Sequence, residues 1–331
     1  MSSFNFIKYQ HFTPVFGETQ ALELFASSIK MLEIEVFSYC NRKCWFCPNT
    51  EIDRQSKNIY MDEKLYLRIL QQLATIKYKN VISYSRYNEP LADRVILTRL
   101  RQARELLPDA KLHTNTNGDY INATYIEELF KHGLNSLKIQ VYLNKDEKFE
   151  DDIVLEKLIK KASMIGLPYK IVESKKGLRH EAKIEYPGMN ISIYARNFER
   201  DGCSRGNLVD LRRSYQRSSP CLSPFRNLYI DYTGKVMPCC NLRSDAPEHG
   251  AYIIGDANTQ SLFQIYTTGS LVKWRKRLFD FGPKPIPCNN CSFSLQKKNL
   301  SYLIATSRIY MGKMSDLKRK RDPQRPIDSE M

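Results

Sequence analysis

Apolar positions along the chain alternate between two periods. Residues 32–37 (LEIEVF) read as a short strand, and residues 61–78 carry a helical repeat through Leu65, Ile69, Leu70, Leu73 and Ile76. The same alternation continues with a strand at 81–85, a helix at 92–107 stopped by Pro108, and a strand at 111–116 closed by Asn117-Gly118. A helix at 123–132 takes Gly133 as its C-cap, and strand-like runs at 136–143, 169–173 and 191–195 flank a helix at 154–165. Strands that alternate with helices predict parallel β/α packing, here about six units, which suits a partial barrel better than a closed eightfold one. After Phe198 the alternation stops. Residues 200–220 are polar and loop-like, 227–237 (NLYIDYTGKVM) read as a hairpin turning at Thr233-Gly234, and one helix is expected over 261–279.

Length adds a bound: 331 residues suffice for one large domain plus a small module. With 42% hydrophobic and 26% charged residues the composition is that of an ordinary globular protein. The first residues, MSSFNFIKYQHF, lack the pattern of a signal peptide, and no apolar stretch is long enough to span a bilayer, so a cytoplasmic location without a membrane partner is expected. Net charge is +15, which favours anionic partners. Part of the excess sits at Lys313, Lys318, Arg319, Lys320, Arg321 and Arg325, in an end that reads as a frayed, solvated basic tail, and nucleic-acid binding is not inferred from it.

The nine cysteines change the picture most. Disulfides are not expected in a cytoplasmic chain, and seven cysteines fall into two groups with metal-like spacing. Cys40, Cys44 and Cys47 form C-x3-C-x2-C directly after the first strand. Three thiolates on one short loop can hold three irons of a four-iron cubane and leave the fourth iron open to a chelating ligand. Zinc would need a fourth ligand, and no other Cys or His lies nearby in sequence. Cys221, Cys239, Cys288 and Cys291 form the second group, whose spacing alone suits either a zinc ribbon or a closed cluster. Cys203 and Cys240 are left over; each can simply pack as a small buried side chain.

C-x3-C-x2-C after the first strand of a β/α array, with the aromatic Phe46 before the last Cys, resembles the radical S-adenosylmethionine (SAM) superfamily. So do Asn88-Glu89-Pro90 after the second strand and Thr116-Asn117-Gly118-Asp119 after the third, although the glycines usual before Glu-Pro are replaced by Tyr87 and Asn88. The resemblance implies an α/β fold, a partial (β/α)6 barrel, with SAM chelated to the open iron. Cleavage of SAM would release a 5′-deoxyadenosyl radical that abstracts a substrate hydrogen. Phe46, Asn88, Glu89, Pro90 and Asn117 are then expected around SAM.

In that context the second group resembles the C-terminal SPASM module in its short Twitch form, which holds an auxiliary [4Fe–4S] cluster. The cofactors implied are SAM and two [4Fe–4S] clusters. The expected organisation is an N-terminal extension (1–31), a radical SAM core (32–200), the auxiliary-cluster domain (201–300) and a basic tail (301–331).

Within the superfamily the chain resembles deoxy-scyllo-inosamine dehydrogenases through SRGN at 204–207, CLSPFRNLYIDYTGKVMPC and CNNCSFSLQ, and a carbohydrate epimerase more loosely. By that motif Arg205 would contact substrate. An oxidoreductase acting on a sugar, aminocyclitol or related metabolite is the leading expectation. An epimerase of a sugar or peptide, with Cys240 or Cys203 as hydrogen donor, is second, and a non-catalytic metal-binding module third. Either enzyme would need a reducing electron donor such as flavodoxin or ferredoxin.

Overall fold

Ten strands form one mixed sheet in a computed structural model that describes residues 4–14, 17–144, 147–211 and 214–321. Arg325 and the side chains of Lys318, Arg319, Lys320 and Arg321 lie outside the described residues. In chain order the strands are β1 (Met31–Ile34), β2 (Val81–Ser83), β3 (Lys111–Thr116), β4 (Ser136–Val141), β5 (Tyr169–Lys175), β6 (Arg179–Ile184), β7 (Asn190–Arg196), β8 (Asn227–Ile230), β9 (Lys235–Met237) and β10 (Gly255–Asp256). They lie in the order β10-β9-β8-β1-β2-β3-β4-β7-β6-β5. Strands β8, β1, β2, β3, β4 and β7 are mutually parallel, and the outer strands turn antiparallel on both sides.

The register explains which face does what. Leu32 is level with Ile82 and Leu228, Ile82 with Leu112, and Leu137 with Ile191, and all six are fully or almost fully buried. This is the face that packs on helices Glu63–Thr75, Val95–Leu106, Ala123–Lys131 and Asp151–Ile165, which supply Leu65, Ile69, Leu70, Leu73, Ile96, Leu100, Ile126, Leu129, Val154 and Leu158. Side chains alternate along a strand, so the opposite face carries Glu33, Ser83, Gln140, Ser192 and Tyr229. These are also buried, yet all but Tyr229 are wholly polar. Parallel sheets covered on both sides are normally apolar on both; here one side of the sheet is built for polar contacts.

Three expectations need correction. Residues 169–173 belong to β5, which is not another parallel β/α strand but the edge of a hairpin with β6; Gly177 (φ +67°) makes its turn, and β6 was not foreseen because its buried positions, His180, Ala182 and Ile184, alternate with charged ones. The sixth parallel strand is instead β8, from the C-terminal hairpin. The helix expected over 261–279 is two, Leu262–Tyr266 and Gly269–Phe279, because the Thr268 hydroxyl caps the second by accepting from Leu271 N. A helix at Glu18–Ser28 precedes β1. The C-terminal stretch is no frayed end over its described part: Leu300–Arg321 is helical and buries Tyr302 and Ala305 in a cluster with Phe4, Ile7, Phe12, Phe225 and Phe279. No helix among the described residues is long and apolar enough to cross a membrane.

Candidate active site

The loop leaving β1 carries the first three cysteines. It is folded back by hydrogen bonds from Cys47 N to Cys44 O (2.8 Å) and from Cys40 N to Arg54 O (3.0 Å). All three thiols are partly exposed. Burial pushes Cys40 and Cys44 up to about 12, and their closeness to one another and to Cys47 pushes the same way. Such thiols ionise near neutral pH only when a metal takes the thiolate. Phe46 lies flat on Phe198, ring centroids 3.6 Å apart, with Tyr142 at 5.0 Å, so one face of its ring is already packed.

The turns after β2 and β3 meet this loop. Glu89 is 3% exposed and accepts from Leu91 N (3.1 Å), Thr116 Oγ1 (2.6 Å) and Asn117 N (2.8 Å). Burial raises its carboxyl to about 7. A carboxylate has about four lone-pair sites, so one remains for a further donor. Asn117 donates from Nδ2 to Asn41 Oδ1 at 2.7 Å, and Glu89 N donates to Tyr39 O at 2.8 Å, which brings both turns against the cysteine loop. Asn88 instead braces its own turn: its Oδ1 accepts from Arg86 N and its Nδ2 donates to Tyr84 O. Pro90 opens the short helical turn Pro90–Ala92.

Arg205, Cys203 and Cys240 also converge. Arg205 Nη1 donates to Asn241 Oδ1 at 2.8 Å, Arg86 Nη2 donates to the same oxygen at 3.1 Å, and Cys203 Sγ at 3.4 Å. Arg86 Nη1 also lies 3.8 Å from Glu33 Oε1. Arg205, Gly206 and Asn207 all have left-handed backbones (φ +51°, +66° and +75°), a strained run that fixes the direction of the guanidinium. Ser204 Oγ donates to Asn290 Oδ1 (2.7 Å), and His249 Nε2 donates to Gly206 O (2.9 Å). Cys240 is buried; a hydrogen bond with the Cys239 side chain, then the charges of Arg86 and Arg205, lower the pKa of its thiol. Burial holds the Glu33 carboxyl well above the usual range. Glu33 Oε2, Arg86 Nε and Asn241 Nδ2 are buried without any hydrogen-bond partner.

Cys221, Cys239, Cys288 and Cys291 line one cavity together with Arg217, Leu242, Trp274, Leu278 and Phe293; Cys240 does not line it. No carboxylate is among the lining residues, so negative charge there comes from sulfur alone. Burial pushes Cys291 up to about 12 and Cys288 further. Among the described residues neither thiol set closes to the spacing of a single-ion site; a cubane, whose irons each take one thiolate, spans a wider set.

Several buried groups behind these sites escape sequence reasoning. Glu35 accepts from Tyr87 N (2.7 Å), Asn88 N (2.8 Å) and Tyr229 Oη (2.6 Å), and pairs with Arg54 at 3.4 Å. Arg54 also pairs with Asp245 (2.9 Å), which pairs with Arg243 (2.7 Å), and Arg243 Nη1 donates to Asn49 Oδ1 (2.6 Å) beside Cys47. Asp119 receives Asn41 Nδ2 (2.9 Å) and both ends of the Arg42 guanidinium. The available signal was Glu33 and Glu35 at alternate positions of an otherwise apolar buried strand.

Comparison with known proteins is consistent with this geometry. Residues 34–165 match the radical SAM superfamily and residues 221–292 match an iron–sulfur cluster-binding domain, SPASM. The S-adenosyl-L-methionine-dependent 2-deoxy-scyllo-inosamine dehydrogenase of Niallia circulans is 22% identical over 264 residues, which is 79% of this chain and 92% of that enzyme. The crystal structure of BtrN in complex with AdoMet and 2-DOIA superposes with a TM-score of 0.57 at 21% identity, covering 82% of this chain and 96% of that one, a likeness of fold.

Proposed function

We propose that this chain, a radical SAM enzyme by its matches to the radical SAM superfamily and to an iron–sulfur cluster-binding domain, dehydrogenates a polar small molecule of sugar or aminocyclitol type. Its cofactors are S-adenosylmethionine and two [4Fe–4S] clusters. Cys40, Cys44 and Cys47 would hold the first cluster and Cys221, Cys239, Cys288 and Cys291 the second, with Glu89 and Asn117 toward SAM. When bound, SAM would supply hydrogen-atom abstraction with one electron from an external donor such as flavodoxin or ferredoxin, and a cluster held by Cys221, Cys239, Cys288 and Cys291 would supply an acceptor for the electron released as the substrate's carbinol carbon becomes a carbonyl and its hydroxyl proton departs.

The carrying observation is the set of unpartnered buried atoms around Arg205. Arg86 Nε and Asn241 Nδ2 are donors without acceptors, and Glu33 Oε2 is an acceptor without a donor. Leaving such groups buried costs about 1–3 kcal/mol each, so this buried cluster suits a ligand with several hydroxyl or amino groups. Arg86 and Arg205 would hold its oxygens and Glu33 a hydroxyl or amine. The likeness to an aminocyclitol dehydrogenase supports the same class. A second reading, epimerisation, is favoured by one observation: Cys240 is buried against Arg86, Arg205 and Glu33, where its side chain, when protonated, could return hydrogen to carbon.

Anaerobic reconstitution should give about eight irons per chain, falling to about four with loss of 5′-deoxyadenosine formation when Cys40, Cys44 and Cys47 are all replaced by Ala. The loaded enzyme is then given SAM, reductant and 2-deoxy-scyllo-inosamine in D₂O. A product lighter by two hydrogens is expected; deuterium in a recovered isomer points to epimerisation, and stoichiometric zinc without iron at the second site rejects the reading.

A further inference from the structure

Arg217 is 2% exposed and lines the four-cysteine cavity. Its guanidinium donates only to backbone carbonyls: Nε to Ser219 O (2.8 Å), Nη1 to Cys291 O (3.0 Å) and Phe293 O (2.6 Å), and Nη2 to Pro220 O (2.6 Å) and Ser294 O (3.3 Å). Its own N–H donates to Asn289 O at 2.6 Å, inside the Cys288–Cys291 turn. Among the described residues it forms no ion pair. The other cation nearby, Lys284, gives its ammonium to Asp280 O and does not line the cavity.

A buried guanidinium satisfied wholly by neutral carbonyls keeps its full positive charge in a poorly screened place, which is costly unless a negative group faces it. Among the described residues no carboxylate lines the cavity. The negative groups available are the four thiols, once ionised by iron. A cubane with four thiolates is a net anion, and its charge becomes more negative by one on reduction. A fixed cation beside it therefore stabilises the reduced form more than the oxidised one and raises the potential.

We propose that Arg217 is the positioning residue of the auxiliary cluster: it ties the segment before Cys221 to the segment after Cys291, and its charge poises the cluster to accept the electron leaving the substrate. This rests on the cluster reading of the four cysteines. The test is an EPR-monitored redox titration of the full-length, cluster-loaded protein, in which the signal that SAM perturbs belongs to the first cluster and the other to the auxiliary one. Iron content and melting temperature are measured on the same samples.

In Arg217→Met the auxiliary midpoint should move to more negative potential while the first cluster's stays put. Arg217→Lys restores the charge without the fork, so it should hold the wild-type potential with a lower melting temperature. A wild-type potential in Arg217→Met, or an equal shift in both variants, overturns the charge role. Where Arg217→Met loses the auxiliary iron, Arg217→Lys decides: a retained cluster at wild-type potential supports the proposal, and loss in both variants reduces Arg217 to a folding role and overturns it. Failure of the cluster reading is separate, since it shows as wild-type protein with zinc, or no iron, at the second site.

Discussion

Glu89 is defined by what its neighbours leave it. Leu91 N, Thr116 Oγ1 and Asn117 N fix the carboxylate in place and occupy three of its acceptor positions. Glu89→Gln keeps the volume but turns one oxygen into a donor facing donors and removes the charge that an ammonium would meet. A charge-assisted hydrogen bond is worth about 1.5–3 kcal/mol, so SAM affinity by calorimetry should fall roughly tenfold or more, with iron content unchanged. Residues such as Glu89 and the cysteines are legible in a sequence because their chemistry demands short spacing after a strand. Arg217 and Glu35 are not: the partners of Glu35 are Arg54, Tyr87, Asn88 and Tyr229, and only the folded sheet assembles them.

Between elements, the loops that carry chemistry are held by one another as well as by the sheet. Asp119, in the turn after β3, receives Asn41 and Arg42 from the first cysteine loop. The pair is partly exposed and contributes about 1 kcal/mol or less to global stability. Asp119→Ala should therefore leave the melting temperature nearly unchanged, yet lower the fraction of first-site iron that survives desalting, as measured by iron analysis and the SAM-sensitive EPR signal. The Arg205 loop is stitched likewise, through Ser204 and Asn207 to Asn290 and Asn289 of the second cysteine turn. Elements were legible where one face is uniformly apolar, as in β1 to β4 and the helices behind them. Strand β6 was hidden because it buries only alternate residues, His180, Ala182 and Ile184, and helix Leu300–Arg321 because its apolar side makes sense only against Phe4, Ile7 and Phe12 from the opposite end of the chain.

At the scale of the whole molecule, the buried series Glu35, Arg54, Asp245 and Arg243 joins the first cysteine loop to the segment after Cys239 and Cys240. Removing one partner from such a network strands the others, at a cost of about 3–5 kcal/mol. Arg54→Met should lower the first unfolding transition in urea by an amount of that order, and it should perturb both thiol sites together. The sheet makes the same connection: β1 has β2 on one side and β8 on the other, with Leu32 level with Leu228. On the ribosome, this means that one of the first strands made waits for a partner that emerges only after most of the chain. Until then its edge is open, and such edges are where nascent chains stray into aggregates or need chaperones. Cluster insertion meets the same delay: the first cysteine loop and its neighbours Glu89, Asn117 and Asp119 leave the ribosome early, but Asp245 and Arg243, which brace Arg54 and Asn49, arrive late, so iron delivery is expected to follow synthesis of that later segment.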